Sequence, residues 1–282
     1  MNKSMAIEPV RNLDHLEKLI RDAKNEYGFK NINCFLMPDD VELLLARGTL
    51  LFSATDAGLH IFNSQGSYYQ LYLYLDSANP RIDIEPLDVE VVTDFPGMNE
   101  KLPVKFEPII NALEDAGFQY NVTSVRMTRS ICPLDEIDYP LIEGFRMMVA
   151  KPQDKQRILE LWSPALDSAS NSMPGNIELD MLINRGNIIL GLVNDTIIAA
   201  VQAEIKDNGY YPRHLAVDPI MRGKHIGTTM LLAAPHYLTE KSGVFATHWV
   251  QTKNAPSLAM CEKSGYCLDG RFLKQYVLKP QD

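Results

Sequence analysis

Two stretches of this chain combine residue types and spacings that could hold a phosphate-bearing ligand. The first runs Leu215-Ala216-Val217-Asp218-Pro219-Ile220-Met221-Arg222-Gly223-Lys224-His225-Ile226-Gly227-Thr228 and continues into an apolar helical pattern. An extended segment ends at Val217, Asp218-Pro219 turns the chain, and Arg222 to Gly227 leads into the helix. A glycine-bearing turn at a helix start points several unpaired backbone N–H groups the same way, and the helix dipole adds partial positive charge there. That combination suits a pyrophosphate. Gly223 and Gly227 let the backbone approach closely, and Arg222 and Lys224 add cationic donors. The second stretch is Asn254-Ala255-Pro256-Ser257 through Gly265-Tyr266. Asn before Ala-Pro is also a good helix N-cap without any ligand.

The elements that must position these residues follow from periodicity. In the second half, strands are expected at 145–150, 188–193, 197–206, 211–217, 244–250 and 271–278. Helices are expected from Pro152 to about Leu166 and over 177–184, 224–241 and 256–263. The first half reads in the same order. Helices are expected at 13–25, 40–46 and 106–116, and strands at 50–53, 59–63, 68–75, 89–93 and 124–130.

The halves also echo each other in detail. Met37-Pro38 resembles Met173-Pro174, Arg47-Gly48 resembles Arg185-Gly186, and Gly117-Phe118 resembles Gly265-Tyr266. Each Arg-Gly pair precedes an apolar strand, and each Gly-aromatic pair closes a helix. The second half holds about a dozen more residues between its echoes, and 76–88 replaces its strand-to-helix unit with a proline-bearing connector. These patterns give an α/β (α+β) fold of two domains, 1–135 and 136–282, each a mixed, mostly antiparallel sheet flanked by helices.

Composition narrows the function classes. Of 282 residues, 46% are hydrophobic and 22% charged, which suits a globular core. The net charge of -9 argues against a nucleic-acid partner, since phosphate contacts need clustered Lys and Arg. Cys34, Cys132, Cys261 and Cys267 form no paired motif, and no His stands at ligand spacing, so no metal site is expected. With no apolar run of membrane-span length and no secretory leader, the expectation is a cytoplasmic protein without a membrane partner, monomeric or homodimeric.

The order of the two stretches resembles the GNAT N-acetyltransferases. Arg222-Gly223-Lys224-His225-Ile226-Gly227 is similar to that family's acetyl-coenzyme A loop, and Asn254 to Tyr266 to its second motif. The resemblance covers 143–279. It implies that backbone amides at Leu215, Ala216 and Val217 hold the acetyl carbonyl and pantetheine where the strand splays from its neighbour. Arg222, Gly223, Lys224, His225, Ile226, Gly227 and Thr228 would bind the pyrophosphate, with Asn254 and Ser257 at the next helix start. It also implies transfer of an acetyl group from acetyl-CoA, as co-substrate, to a primary amine of a small molecule or peptide.

Two positions depart from the family. His225 stands where Gly is usual, and Cys261 where a Tyr often protonates the departing thiolate. The amine must be neutral to attack, so a base is needed. Glu204, His214 and His248 are the candidates, beside Cys261 as acid. The first domain has no counterpart of the coenzyme A loop, so it is expected not to bind coenzyme A in the family's way, and to complete the acceptor cleft. The alternative for the whole chain is a non-catalytic acyl-CoA-binding or sensing module.

Overall fold

The computed structural model describes residues 7–27, 33, 38–76, 80–82, 84, 87–131, 137, 142–167, 173–206, 209–238 and 245–280. The chain divides into two compact units. One comprises 1–123 with 272–282, and the other 124–271. A count along the sequence divides it at 135/136 instead. In the structure the cut falls within the strand Gln119–Ser130, and 272–282 group with the first unit.

The first unit contains β1 (Glu8–Pro9), α1 (Leu13–Tyr27), α2 (Pro38–Arg47), β2 (Leu50–Thr55), β3 (Gly58–Ser64), β4 (Tyr68–Leu75), β5 (Glu90–Met98), α3 (Glu107–Asp115) and the start of β6 (Gln119–Ser130). The second contains the rest of β6, then β7 (Phe145–Val149), α4 (Lys155–Trp162), α5 (Asn176–Asn184), β8 (Ile188–Val193), β9 (Thr196–Lys206), β10 (Gly209–Val217), α6 (Ile226–Ala233), β11 (Phe245–Gln251), α7 (Ala255–Lys263) and the first part of β12 (Cys267–Leu278). In the first unit the strand order is β1-β2-β3-β4-β5-β12-β6; in the second it is β6-β11-β10-β9-β8-β7.

Both sheets are mixed. β2, β3 and β4 pair antiparallel, as do β7, β8, β9 and β10. The parallel pairs are β4 with β5 and β10 with β11. In the second unit, side chains alternate between two cores as the two-residue strand period requires. Ile188, Leu190, Leu192, Ala200 and Ala216 pack with Trp162 and Leu179 of α4 and α5. Ile189, Ala199, Val201 and Ala203 pack with Met230 of α6 and Cys261 of α7. The first unit does the same. Leu59, Ile61 and Tyr74 join Leu16 and Leu44, whereas Phe62, Leu71 and Phe95 join Phe106, Ile109 and Leu113 of the α3 side.

The glycines of the echo are helix stops. At α3, Phe118 N–H bonds the Leu113 carbonyl and Gly117 N–H that of Glu114. At α7, Tyr266 bonds Cys261 and Gly265 bonds Glu262. Gly117 and Gly265 have φ of 90° and 79°. The same six-to-one and five-to-two pattern closes α2 at Gly48 and α5 at Gly186.

Several elements differ from the sequence reading in extent, among them β5, which runs on to Met98, and α4, which is shorter at Lys155–Trp162. The helix expected over 224–241 is α6 for only Ile226–Ala233, then a 3-10 turn, Ala234–Tyr237. Pro235 has no N–H and its ring crowds the preceding turn, so the α pattern stops. β6 and β12 begin earlier than expected, at Gln119 and Cys267. The domain division expected at 135/136 falls outside the described residues. Among the described residues no helix is long and apolar enough to cross a membrane.

Candidate functional site

The site begins where β10 and β11 part. Their parallel ladder is confined to Gly209 and Tyr210 against Phe245 and Ala246. Beyond it the strands diverge, and the register of β10 against β9 shifts between Arg213 and Ala216. His214 sits in that bulge with φ of 50°, a conformation that re-aims a side chain and ends regular pairing. One bridge crosses lower in the splay, where His248 Nδ1 lies 3.0 Å from the Pro212 carbonyl. A carbonyl only accepts, so Nδ1 carries the proton and the imidazole lone pair is on Nε2. Burial first, with Arg213 adding to it, lowers the His248 pKa from its ordinary 6.5 despite the bond to Pro212, so the ring is neutral at pH 7.

At the upper end of β10 the chain turns under tight control. Asp218 Oδ1 accepts from Ile220 N–H at 3.1 Å, capping the 3-10 turn Pro219–Met221. Its Oδ2 lies 2.8 Å from Arg157 Nη2, and Arg157 Nε also donates to the Ile197 carbonyl at 3.1 Å. Arg222 Nε donates back to the Val217 carbonyl at 3.1 Å. Gly223 has φ of 77° and His225 of 62°. The left-handed conformation expected to make His costly at this position is therefore present, and His225 itself is exposed.

The first intrahelical bond of α6 runs from Thr229 N–H to the His225 carbonyl, 3.0 Å. The amides of Ile226, Gly227 and Thr228 precede it and lie at the positive end of the helix. Two left-handed residues stand just before them, an arrangement of N–H groups that is able to hold an anion. Gly227 lies at a close approach. A Cβ there would lie 3.1 Å from Met260 Sδ and 3.7 Å from Val217 Cγ2, so β10, α6 and α7 converge at this residue.

Not every expected residue turns its side chain to this cradle. Ala216 is buried in the α4/α5 core, so its contribution is limited to backbone. Asn254 caps α7, its Oδ1 accepting from Ser257 N–H at 3.1 Å. Cys261 is wholly buried in the α6/α7 core, and burial, then Glu262, pushes its thiol up to about 12. Its environment is that of a small apolar core residue.

On the opposite sheet face, two candidates are joined by a residue the sequence reading passed over. Gln202 Oε1 lies 2.6 Å from His214 Nδ1, and Gln202 Nε2 donates to Glu204 Oε1 at 2.6 Å. The amide oxygen accepts from the ring and the amide nitrogen donates to the carboxylate, so Nε2 of a neutral His214 is its basic atom. Trp162 packs on the His214 ring with centroids 5.4 Å apart. A polar residue at the end of the apolar run Ile197 to Val201 was a usable signal for Gln202; nothing in the sequence marked Arg157. Tyr210 was also missed. It is wholly buried at the last rung of the β10/β11 ladder, its hydroxyl has no hydrogen-bond partner, and burial holds its pKa well above 10.0.

Among the described residues no cluster of His, Cys, Asp and Glu could hold a metal ion.

Residues 155–266 match the model of the acetyltransferase (GNAT) family. No curated protein sequence matches the chain. Similar solved structures include a GCN5-related N-acetyltransferase from Sphaerobacter thermophilus (12% identity, 98% of this chain and 95% of that one, TM-score 0.54). An acetyltransferase of the GNAT family from Colwellia psychrerythraea is 13% identical over 97% of this chain and 100% of its own, TM-score 0.52. A tandem GNAT protein from the clavulanic acid biosynthesis pathway is 10% identical, covers 83% of each chain and has a TM-score of 0.51. At these identities the likeness is one of fold.

Proposed function

We propose that the second unit transfers an acyl group, acetyl in the simplest case, from a coenzyme A thioester to a primary amine of a small molecule or peptide. The observation that carries this reading is the coincidence of the β10/β11 splay with a left-handed turn and a helix N-terminus at its upper end. A diphosphate on an extended amide-bearing arm matches that arrangement, anion at the helix end and amides along the strand. Arg222 and Lys224, both exposed, add charge at the phosphate end.

In this reading the β10 amides around Leu215 and Val217 polarise the thioester carbonyl, and they are preorganised by the sheet. The neutral amine attacks the carbonyl carbon, the C–S bond breaks, and the thiolate leaves. His214 Nε2 takes the amine's proton, with the ring oriented by Gln202, which Glu204 holds in turn. His248, held neutral at the splay, is the competing base. The net charge of -9 favours a cationic acceptor over nucleic acid and suits the cytoplasm.

Mixing the full chain with acetyl-CoA and an amine panel, and following free thiol, tests the proposal. Amine-dependent thiol release is expected. Tight coenzyme A binding without release on any amine would favour a non-catalytic acyl-CoA module, which the burial of Cys261 supports. Absence of binding would overturn both readings.

A further inference from the structure

The first unit also parts a parallel strand pair, and a buried side chain from outside both strands bridges the gap. The β4/β5 ladder covers Tyr68 to Gln70 against Glu90 to Val92. Just beyond it lies Asn33, from the chain between α1 and α2, with 2% of its surface exposed. Its Oδ1 accepts from the Leu73 amide at 2.6 Å. Its Nδ2 donates to Thr93 Oγ1 at 2.5 Å and reaches the Asp94 carbonyl at 3.5 Å. Thr93 Oγ1 in turn donates to the Leu71 carbonyl at 3.0 Å. Nearer the ladder, Gln70 Nε2 donates to Asp94 Oδ2 at 3.2 Å.

The carboxamide therefore supplies an acceptor to β4 and donors to β5, where a continued ladder would have supplied backbone groups. A buried amide left without an acceptor is costly, and Asn33 removes that cost for Leu73. We propose that the first unit contains a carboxamide-binding slot, bounded by Leu71, Leu73, Thr93 and Asp94, which Asn33 occupies from within the same chain. The ligand class it accepts is a primary amide: one carbonyl for Leu73 and an NH2 group for Thr93 and Asp94. The slot is self-filled, so the unit stands complete without an external ligand. This inference holds whether or not the second unit binds coenzyme A.

The test empties the slot and refills it from solution. In the full chain, Asn33→Ala is expected to lower the Tm by on the order of 5 °C, the effect of stranding a buried amide. Acetamide should restore part of that loss saturably, in the variant and not in the wild type. N,N-dimethylacetamide, which cannot donate, should not. Loss of stability without selective rescue, or equal effects of acetamide on both proteins, would overturn the proposal. If Asn33→Ala does not fold, Asn33→Asp decides. It keeps the shape, but its carboxylate has no donors. Its deficit relative to wild type should be largest near neutral pH and shrink as acid protonates the group. A deficit independent of pH, or none, would also overturn the slot.

Discussion

In the first unit the β4/β5 ladder ends at Gln70 and Val92; in the second the β10/β11 ladder ends at Tyr210 and Ala246. The same opening is then treated in opposite ways. In the first, Asn33, Thr93 and the Gln70–Asp94 pair stitch the strands together with side chains. In the second, the bridge described across the gap is His248 to Pro212, and the strand leads into a left-handed turn and α6. Both units thus hold a parallel pair with a short ladder, and in the first the opening is closed by side chains. The helix that follows supplies the second difference. After β4 the described connector residues contain no helix before β5, so that unit has no comparable anion site among them.

The sharpest way to break this comparison is at Gly227. Titration with acetyl-CoA should give one site per chain. Gly227→Val should abolish it, lowering kcat/KM about 100-fold or more, because the new side chain collides with Met260 where three elements meet. Two sites in the wild type would refute the idea that the first opening is closed.

Next in size is His214→Gln. If His214 Nε2 receives the amine's proton, kcat should fall about tenfold or more with KM little changed. The pH–rate profile should lose its acidic limb. An unaltered profile would leave His248 as the base.

A smaller effect separates the two bridges by pH. His248 has a lowered pKa, so the unfolded chain binds the proton more readily. Its contribution to stability is complete above about 6.5 and is lost as pH falls below that value. Denaturant midpoints should fall in this range and flatten in His248→Gln. The Asn33 bridge, which does not titrate, should show no such dependence.

The smallest effect belongs to His225→Gly. Relief of the left-handed conformation at 62° should raise stability by about 0.5–1 kcal/mol, partly offset by the freedom of Gly in the unfolded chain. The Tm measures it.

How far the sequence reached can be judged residue by residue. β4 and β8 matched their expected limits because apolar runs bounded by turns leave few alternatives. The cradle at 222–228 was legible because it is local: glycines, cations and a helix start lie within one turn. Asn33, Gln202 and Arg157 were not, because each acts across the chain on strands or turns distant in sequence. Leu73 lies 40 residues from Asn33, and Asp218 lies 61 from Arg157. No periodicity encodes such a contact. The early end of α6 was readable from Pro235, had that proline been weighed against the apolar run around it.

The return of Phe272–Asp282 to the first unit has a consequence for synthesis. A growing chain emerges N-terminus first, and units fold as their residues appear. Residues 124–271 are contiguous, so the later-made unit is the first that a ribosome can release complete. The earlier-made one must wait, with the place between β5 and β6 lacking its strand, until 272–282 are made. Loss of 272–282 would therefore damage the oldest part of the nascent chain.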